Sequence, residues 1–158
     1  MTVDPDTFRS VLGRFAAGVT IVTALDSEGR DYGLTVSAFS SLSLEPPLVV
    51  VCIDHEASLH PVLQQAEHFA VNILSTDQEP LARRFSTLTD ERFDGVGYVR
   101  GQTGVAVLDD VLAILECRKL HAFEGGDHTM FVGEVETAHA HAGSPLLYYR
   151  GGYAQIER

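Results

Sequence analysis

His128, in the run Gly126-Asp127-His128-Thr129, can hold a polar or charged ligand near neutral pH, because imidazole changes charge there and donates from either ring nitrogen. A histidine beside a turn is equally an ordinary solvated side chain. Arg83 and Arg84, followed by Phe85, offer guanidinium forks that match the oxygens of a phosphate, and Arg84 is the expected phosphate ligand. Placement at a helix C-terminus would also account for one of these arginines. Ser58 is the expected N-cap of a helix whose first amides could meet an anion. The stretch Thr35-Val36-Ser37-Ala38-Phe39-Ser40-Ser41 sets short hydroxyls and backbone amides where a strand ends, a surface that can read the donors and acceptors of a polar ring edge. Its other reading is a serine-rich turn whose hydroxyls satisfy their own backbone. His139 and His141, two apart on one strand face, lack an evident third ligand, so no metal site is expected.

Charge sets a condition on any such ligand. Eleven Lys and Arg against 22 Asp and Glu leave the 158-residue chain at a net charge of −11. That charge disfavours nucleic acid and anionic membrane surfaces as partners. A phosphorylated cofactor must therefore be held by local donors. The first residues show neither the basic start nor the apolar run of a signal peptide, no stretch reaches membrane-spanning length, and a cytoplasmic location is expected. Cys52 and Cys117 lie in apolar strand-like runs without CxxC spacing and read as buried structural thiols.

The elements that must position these groups are mostly strands. Asp4-Pro5 followed by Phe8, Val11, Leu12 and Phe15 predicts an amphipathic helix closed by Gly18. A strand over 19–24, a turn over 26–30 and a strand over 32–36 follow. Residues 48–53 read as a strand buried on both faces, 68–74 as another. Short helices are predicted from Leu59 to Ala66 and from Gln78 to Phe85, capped by Ser58 and Asp77. An irregular excursion over 86–104 precedes a long hairpin over 111–124 and 128–138 that turns at Gly125-Gly126, facing Phe123 with His128 and Glu124 with Asp127. A last strand is predicted from Pro145 to about Ile156. Many strands, few helices and no βαβ alternation predict one domain over 1–158 of mainly β class, an antiparallel β-barrel with flanking helices. No GxGxxG or GxxxxGK[ST] run follows a strand, so a dinucleotide must bind by other means.

The run from Phe8 to Thr23, FRSVLGRFAAGVTIVT, resembles the start of the short-chain flavin reductases, the reductase components of two-component flavin monooxygenases. The resemblance continues through GLTVSAFSSLSLEPP at 33–47, FAVNIL at 69–74, GDHTMFVGEV at 126–135 and PLLYYRGGY at 145–153, covering nearly the whole chain. It implies an FMN-binding split barrel, a homodimer with flavin near the subunit interface, and hydride transfer from NADH or NADPH to FMN or FAD, with a monooxygenase consuming the product. It further implies that Thr35, Val36, Ser37, Ala38, Ser40 and Ser41 run along the flavin, and that Cys52, Ile53 and Asp54 line it from a strand end. His128 would align nicotinamide with flavin, Tyr149 would contribute to the nicotinamide site, and Ser58, Arg84 and Phe85 would lie on the cofactor side. Many relatives carry a basic residue near Ser58 or Leu59, whereas this chain reads Ala57-Ser58-Leu59-His60, which leaves more of the phosphate to Arg84. A pyridoxamine-phosphate-oxidase-like FMN enzyme and a non-catalytic flavin-binding electron carrier are the alternatives; the Gly-Asp-His-Thr run speaks against the first.

Overall fold

The computed structural model describes residues 1–87 and 92–157. Helix α1 (Pro5–Leu12) starts on Asp4, whose carboxylate accepts the amide of Thr7, and stops at Gly13 rather than at Gly18. Gly18 instead falls in the short strand β1 (Ala17–Gly18). Strands β2 (Thr20–Leu25), β3 (Asp31–Val36), β4 (Phe39–Ser43) and β5 (Leu48–Asp54) lead to α2 (Leu59–Gln65) and β6 (His68–Ile73). A 3-10 turn over Thr76–Gln78, closed by a capping box between Ser75 and Gln78, enters α3 (Glu79–Ser86), so Ser75 takes the capping role expected of Asp77. The excursion carries β7 (Tyr98–Arg100) and β8 (Ala106–Leu108), with residues 88–91 outside the described set. Strands β9 (Ala113–Gly125), β10 (His128–Ala140), β11 (Leu146–Tyr149) and β12 (Gly152–Gln155) complete the chain. The single last strand predicted is thus a hairpin, turned at Arg150 and Gly151, whose φ values of 52° and 77° are both left-handed.

Seven strands form one antiparallel sheet in the order β3-β2-β6-β9-β10-β5-β4. Its inner face gathers Val22, Val36, Val49, Val51, Ile53, Phe69, Val71, Cys117 and Phe131 around Leu59, Val62 and Leu63 of α2. Side chains from six strands meeting in one core, with α2 against it, make this the interior of a barrel. The edge strands β3 and β4 are consecutive in sequence, yet β3 pairs only with β2 and β4 only with β5 among the described residues. The barrel is split there, and Ser37-Ala38 bridges the gap.

A second core, on the other side of β2 and β6, joins Val19, Ile21, Ala70, Leu74, Ala82, Phe85, Leu108, Ile114 and Leu146. It anchors α3 beside β3, where Phe85 lies so close over Gly33 that a Cβ there would sit 2.7 Å from the ring. The main hairpin turns at Gly126-Asp127, one residue later than predicted, because Gly126 supplies the left-handed φ of 68°. Phe123 therefore faces Met130, and Glu124 faces Thr129 instead of Asp127. The shift removes the like-charge pair and lets the Thr129 hydroxyl donate to Glu124 at 2.9 Å.

Candidate functional site

Strand β5 places the site. Val49, Val51 and Ile53 are buried in the barrel, whereas Val50 and Cys52 are half-buried on the outer face. The predicted burial on both faces is corrected here: the outer face floors a groove of about 970 Å³. Ser37, Ala38, Phe39 and Ser40 form one side of it, Phe8, Leu12 and Phe15 of the first helical segment another, and Tyr148 and Gly151 a third. Burial raises the Cys52 thiol above its ordinary pKa, so it meets the groove as a neutral, weakly polar group.

The expected ring-reading stretch divides by chemistry. Val36 is buried in the core and Thr35 donates its hydroxyl to Ala82 of α3 at 2.6 Å, so both face a ligand only through backbone. Ser40 donates to the carbonyl of Ser41, the local bond expected of a serine-rich turn, and Ser41 is exposed. Ser37 and Ala38 remain in the groove wall, their carbonyls accepting from Phe39 and Cys52. Gly33 turns its carbonyl to the open edge of β3, where Arg92 meets it at 2.6 Å. The two-residue alternation of an edge strand then gives Thr35 the same direction for its N–H and C=O. The split therefore exposes alternating donors and acceptors beside an apolar floor.

His128 opens β10 opposite Asp54, on the outer face that continues from Cys52 through its partner Met130. Its Nδ1 lies 2.7 Å from the Asp127 carboxylate, a contact that puts a proton on Nδ1 and leaves Nε2 for a ligand. That bond to His128 holds the Asp127 carboxyl below its usual range. Asp54 itself accepts the amide of Glu56, and Ile53 contributes no side chain because it is wholly buried inward.

Ser58, Arg84, Phe85 and Tyr149 stand apart from the groove. Ser58 has helical backbone angles and makes no side-chain cap, because the Ala57 carbonyl, paired with the His60 amide, has already started the turn. It lines a separate cavity of about 440 Å³ with Arg30, Asp31, Tyr32 and Arg92. Asp31 there is paired with Arg100, at 2.5 Å, Arg30 with Asp26 and Glu28, at 2.9 and 3.1 Å, and Arg92 donates to the carbonyls of Thr87 and Gly33. Arg84 donates to the carbonyls of Arg92, at 2.6 Å, and Asp94, anchoring that loop. Its guanidinium is thus engaged by main chain, contrary to the phosphate role expected of it. Phe85 is fully buried in the second core. Of the paired tyrosines, Tyr148 faces the groove, while Tyr149 is on the opposite strand face and lines neither it nor the adjoining cavity.

The sequence reading passed over three features. Tyr148 could have been chosen by parity, since it shares a strand face with the buried Leu146. Arg30 and Arg92 carried no motif; only the fold brings them beside Ser58. The third is a bonded chain behind the hairpin tip: His55 to Glu124 at 2.7 Å, Glu124 to Thr129 at 2.9 Å, and Thr129 to the buried His60 at 2.7 Å. The hydroxyl of Thr129 and the ring of His55 hold the Glu124 carboxyl below its usual range.

Comparison with known proteins bears on this arrangement. The family model described as flavin reductase like domain matches residues 12–157. The chain is 44% identical to the reductase component of a 4-nitrophenol 4-monooxygenase/4-nitrocatechol 2-monooxygenase from Rhodococcus opacus, over 98% of this chain and 82% of that one. It is 42% identical to an NADH-dependent FMN reductase of Agrobacterium fabrum, over 96% and 86% of the two chains. Among solved structures, an NADH:FAD oxidoreductase of Streptomyces globisporus in complex with NAD and FAD fragments superposes with a TM-score of 0.92 at 38% identity, covering 99% of this chain and 97% of that one.

Proposed function

Because this chain belongs to the family of flavin reductase-like domains, we propose that it is an NAD(P)H:flavin oxidoreductase whose flavin ring lies in the groove at the split of the barrel. The observation that carries this reading is the meeting, at one place, of an apolar floor and an unpaired strand edge. An isoalloxazine needs both: flat apolar contact for its rings, and alternating donors and acceptors for its pyrimidine end. Val50, Cys52 and Ala38 supply the first, and the backbone of Thr35, on the adjoining cavity wall, the second.

From there the flavin's phosphate runs toward Ser58. Three strand steps separate Thr35 from Tyr32, roughly 10 Å of extended chain, about the reach of a ribityl phosphate. At that end Ser58 and Arg30 line the cavity, and a phosphate there would share the Arg30 guanidinium with Asp26 and Glu28 on the exposed side. Ser58 keeps its assigned side of the cofactor, and Arg30 rather than Arg84 lines the cavity beside it.

When bound, the flavin supplies the two-electron acceptor, and the residues supply alignment. His128, two residues along the outer face from the Met130–Cys52 pair, presents Nε2 to a nicotinamide carboxamide or phosphate while Asp127 fixes its tautomer. It moves no proton in the hydride step; its work is to hold the donor carbon over the flavin.

A homodimer completes the surface. Phe8 and Phe15, 56% and 78% exposed, stand on the groove wall, and Val11, Leu42, Leu44, Phe123 and Met130 are further apolar side chains left exposed. A second copy is the occupant assigned to this face, and sedimentation at micromolar concentration is expected to give twice the chain mass. Reduced flavin then passes to a monooxygenase partner. The activity is tested by mixing the purified protein with NADH or NADPH and with FMN or FAD under air, and following nicotinamide absorbance. Flavin-dependent turnover is expected; bound flavin that is never reduced would leave only an electron-carrier or flavin-binding role.

A further inference from the structure

Beside the groove lies a smaller cavity of about 380 Å³, whose inner wall is Val19 and Thr35. It opens onto the groove through Ser37, Tyr148 and Gly151, which line both. Its far wall is Arg83 and Ser86 of α3 and Tyr153 of β12. The Arg83 guanidinium sits 5.0 Å above the Tyr153 ring, and the rings of Tyr148 and Tyr153 meet edge to face with centroids 5.5 Å apart.

The lining fits one kind of chemical group. Tyrosine rings in the lining offer aromatic surface to a flat heteroaromatic ring, and stacking of this kind tolerates any purine. A guanidinium grips a phosphate, and the Ser86 hydroxyl beside it, which donates to the Arg83 carbonyl at 2.7 Å, joins it by turning from that bond. Among the described residues no carboxylate lines the cavity. Glu79 pairs with Arg83 at 3.3 Å, but that pair is exposed and spans one helical turn, a geometry easily given up for a phosphate. Resting Arg83 on Tyr153 spares part of the entropy of ordering a long side chain.

We propose that this cavity is the subsite for the 5′-adenylate half of a dinucleotide, with the adenine against Tyr148 and Tyr153 and its phosphate on Arg83 and Ser86. Both FAD and the nicotinamide coenzyme carry that group, and FMN lacks it. The inference rests on the reductase reading for its position beside the flavin groove. Arg83 is thereby a specificity residue, separating dinucleotides from mononucleotides.

The test compares R83A with the unsubstituted protein using FAD, FMN, NADH and reduced nicotinamide mononucleotide, with calorimetric titration of 5′-AMP alongside. Loss of a charge-assisted phosphate contact is expected to cost roughly tenfold in affinity. If the flavin contributes the adenylate, the ratio of KM for FAD to KM for FMN rises about tenfold. If the coenzyme contributes it, the ratio of KM for NADH to KM for the reduced mononucleotide rises instead. In either case R83A loses AMP affinity and R83K, which keeps the charge without the fork, recovers part of it. Unchanged ratios together with unchanged AMP affinity would overturn the subsite. Absence of any flavin reduction by the unsubstituted protein would instead sink the reductase reading, and AMP binding would still decide the subsite.

Discussion

The two faces of β5 are built from the same kind of residue and meet opposite fates. Val49, Val51 and Ile53 are 5%, 0% and 0% exposed in the barrel, while Val50 and Cys52 lie half-buried over the groove. Hydrophobicity along a strand states that a face will be covered, not by what. The inner face is covered by the chain itself; for the outer face the proposed cover is cofactor and a second copy. Substitutions should separate the two. Ile53→Ala is expected to cost about 2–5 kcal/mol in urea unfolding, the range for truncating a fully buried aliphatic side chain. Cys52→Ala should cost far less, since its side chain closes no interior layer. Equal losses would mean that the groove floor is ordinary core.

The reverse distinction is made by filling the groove. Ala38→Trp puts a large ring where the flavin is placed, on a link between strands rather than in the core. Flavin-dependent turnover should fall roughly a hundredfold or more, as the loss of most ring contact implies. The thermal midpoint should stay within a few degrees of the unsubstituted protein. Retained flavin affinity would move the ring out of this groove. His128→Ala probes the same outer face two residues farther on: KM for NADH should rise about tenfold with flavin affinity kept, the signature of a lost positioning contact. Should flavin affinity fall instead, His128 belongs to the flavin and not to the coenzyme.

What the sequence made legible follows from the range of the interactions involved. The start of α1 on Asp4, the β-branched strands and the long hairpin are local, and they stand where the residue pattern put them, whereas the caps expected of Ser58 and Asp77 do not form. The turn at Gly126-Asp127 was missed by one residue because two adjacent glycines leave the left-handed position ambiguous until the pairing of Glu124 with Thr129 decides it. The site divides the same way. Ser37, Ala38 and Cys52 came from ordered motifs and do converge on the groove. Arg84 and Phe85 share the helix α3 with Arg83, but which helical face points to the groove depends on where β3 and the 92–94 loop pack, and that is tertiary. Arg30, Arg92 and Ser58 come from three separate segments that share no motif.

The smallest effect should appear far from both faces of β5, at Glu116. This carboxylate, 5% exposed, accepts from the amides of Gln102 and Thr103 and the hydroxyls of Thr103 and Thr137, tying the loop between β7 and β8 to the sheet. Burial works against its ionisation, yet those hydrogen bonds win and hold its pKa below the ordinary 4.5. A folded value below the unfolded one means the carboxylate stabilises the fold fully above the unfolded pKa, and that this contribution is lost as pH falls through the folded one. Unfolding free energy of the unsubstituted protein should therefore decline as pH drops below about 4.5, the unfolded value, and Glu116→Gln should flatten that decline while lowering stability at neutral pH. Flavin KM at neutral pH should be the same in both, since Glu116 lines none of the three cavities. An unaltered acid limb in Glu116→Gln would assign the pH dependence to other carboxylates, and a changed flavin KM would couple the β7–β8 loop to the groove.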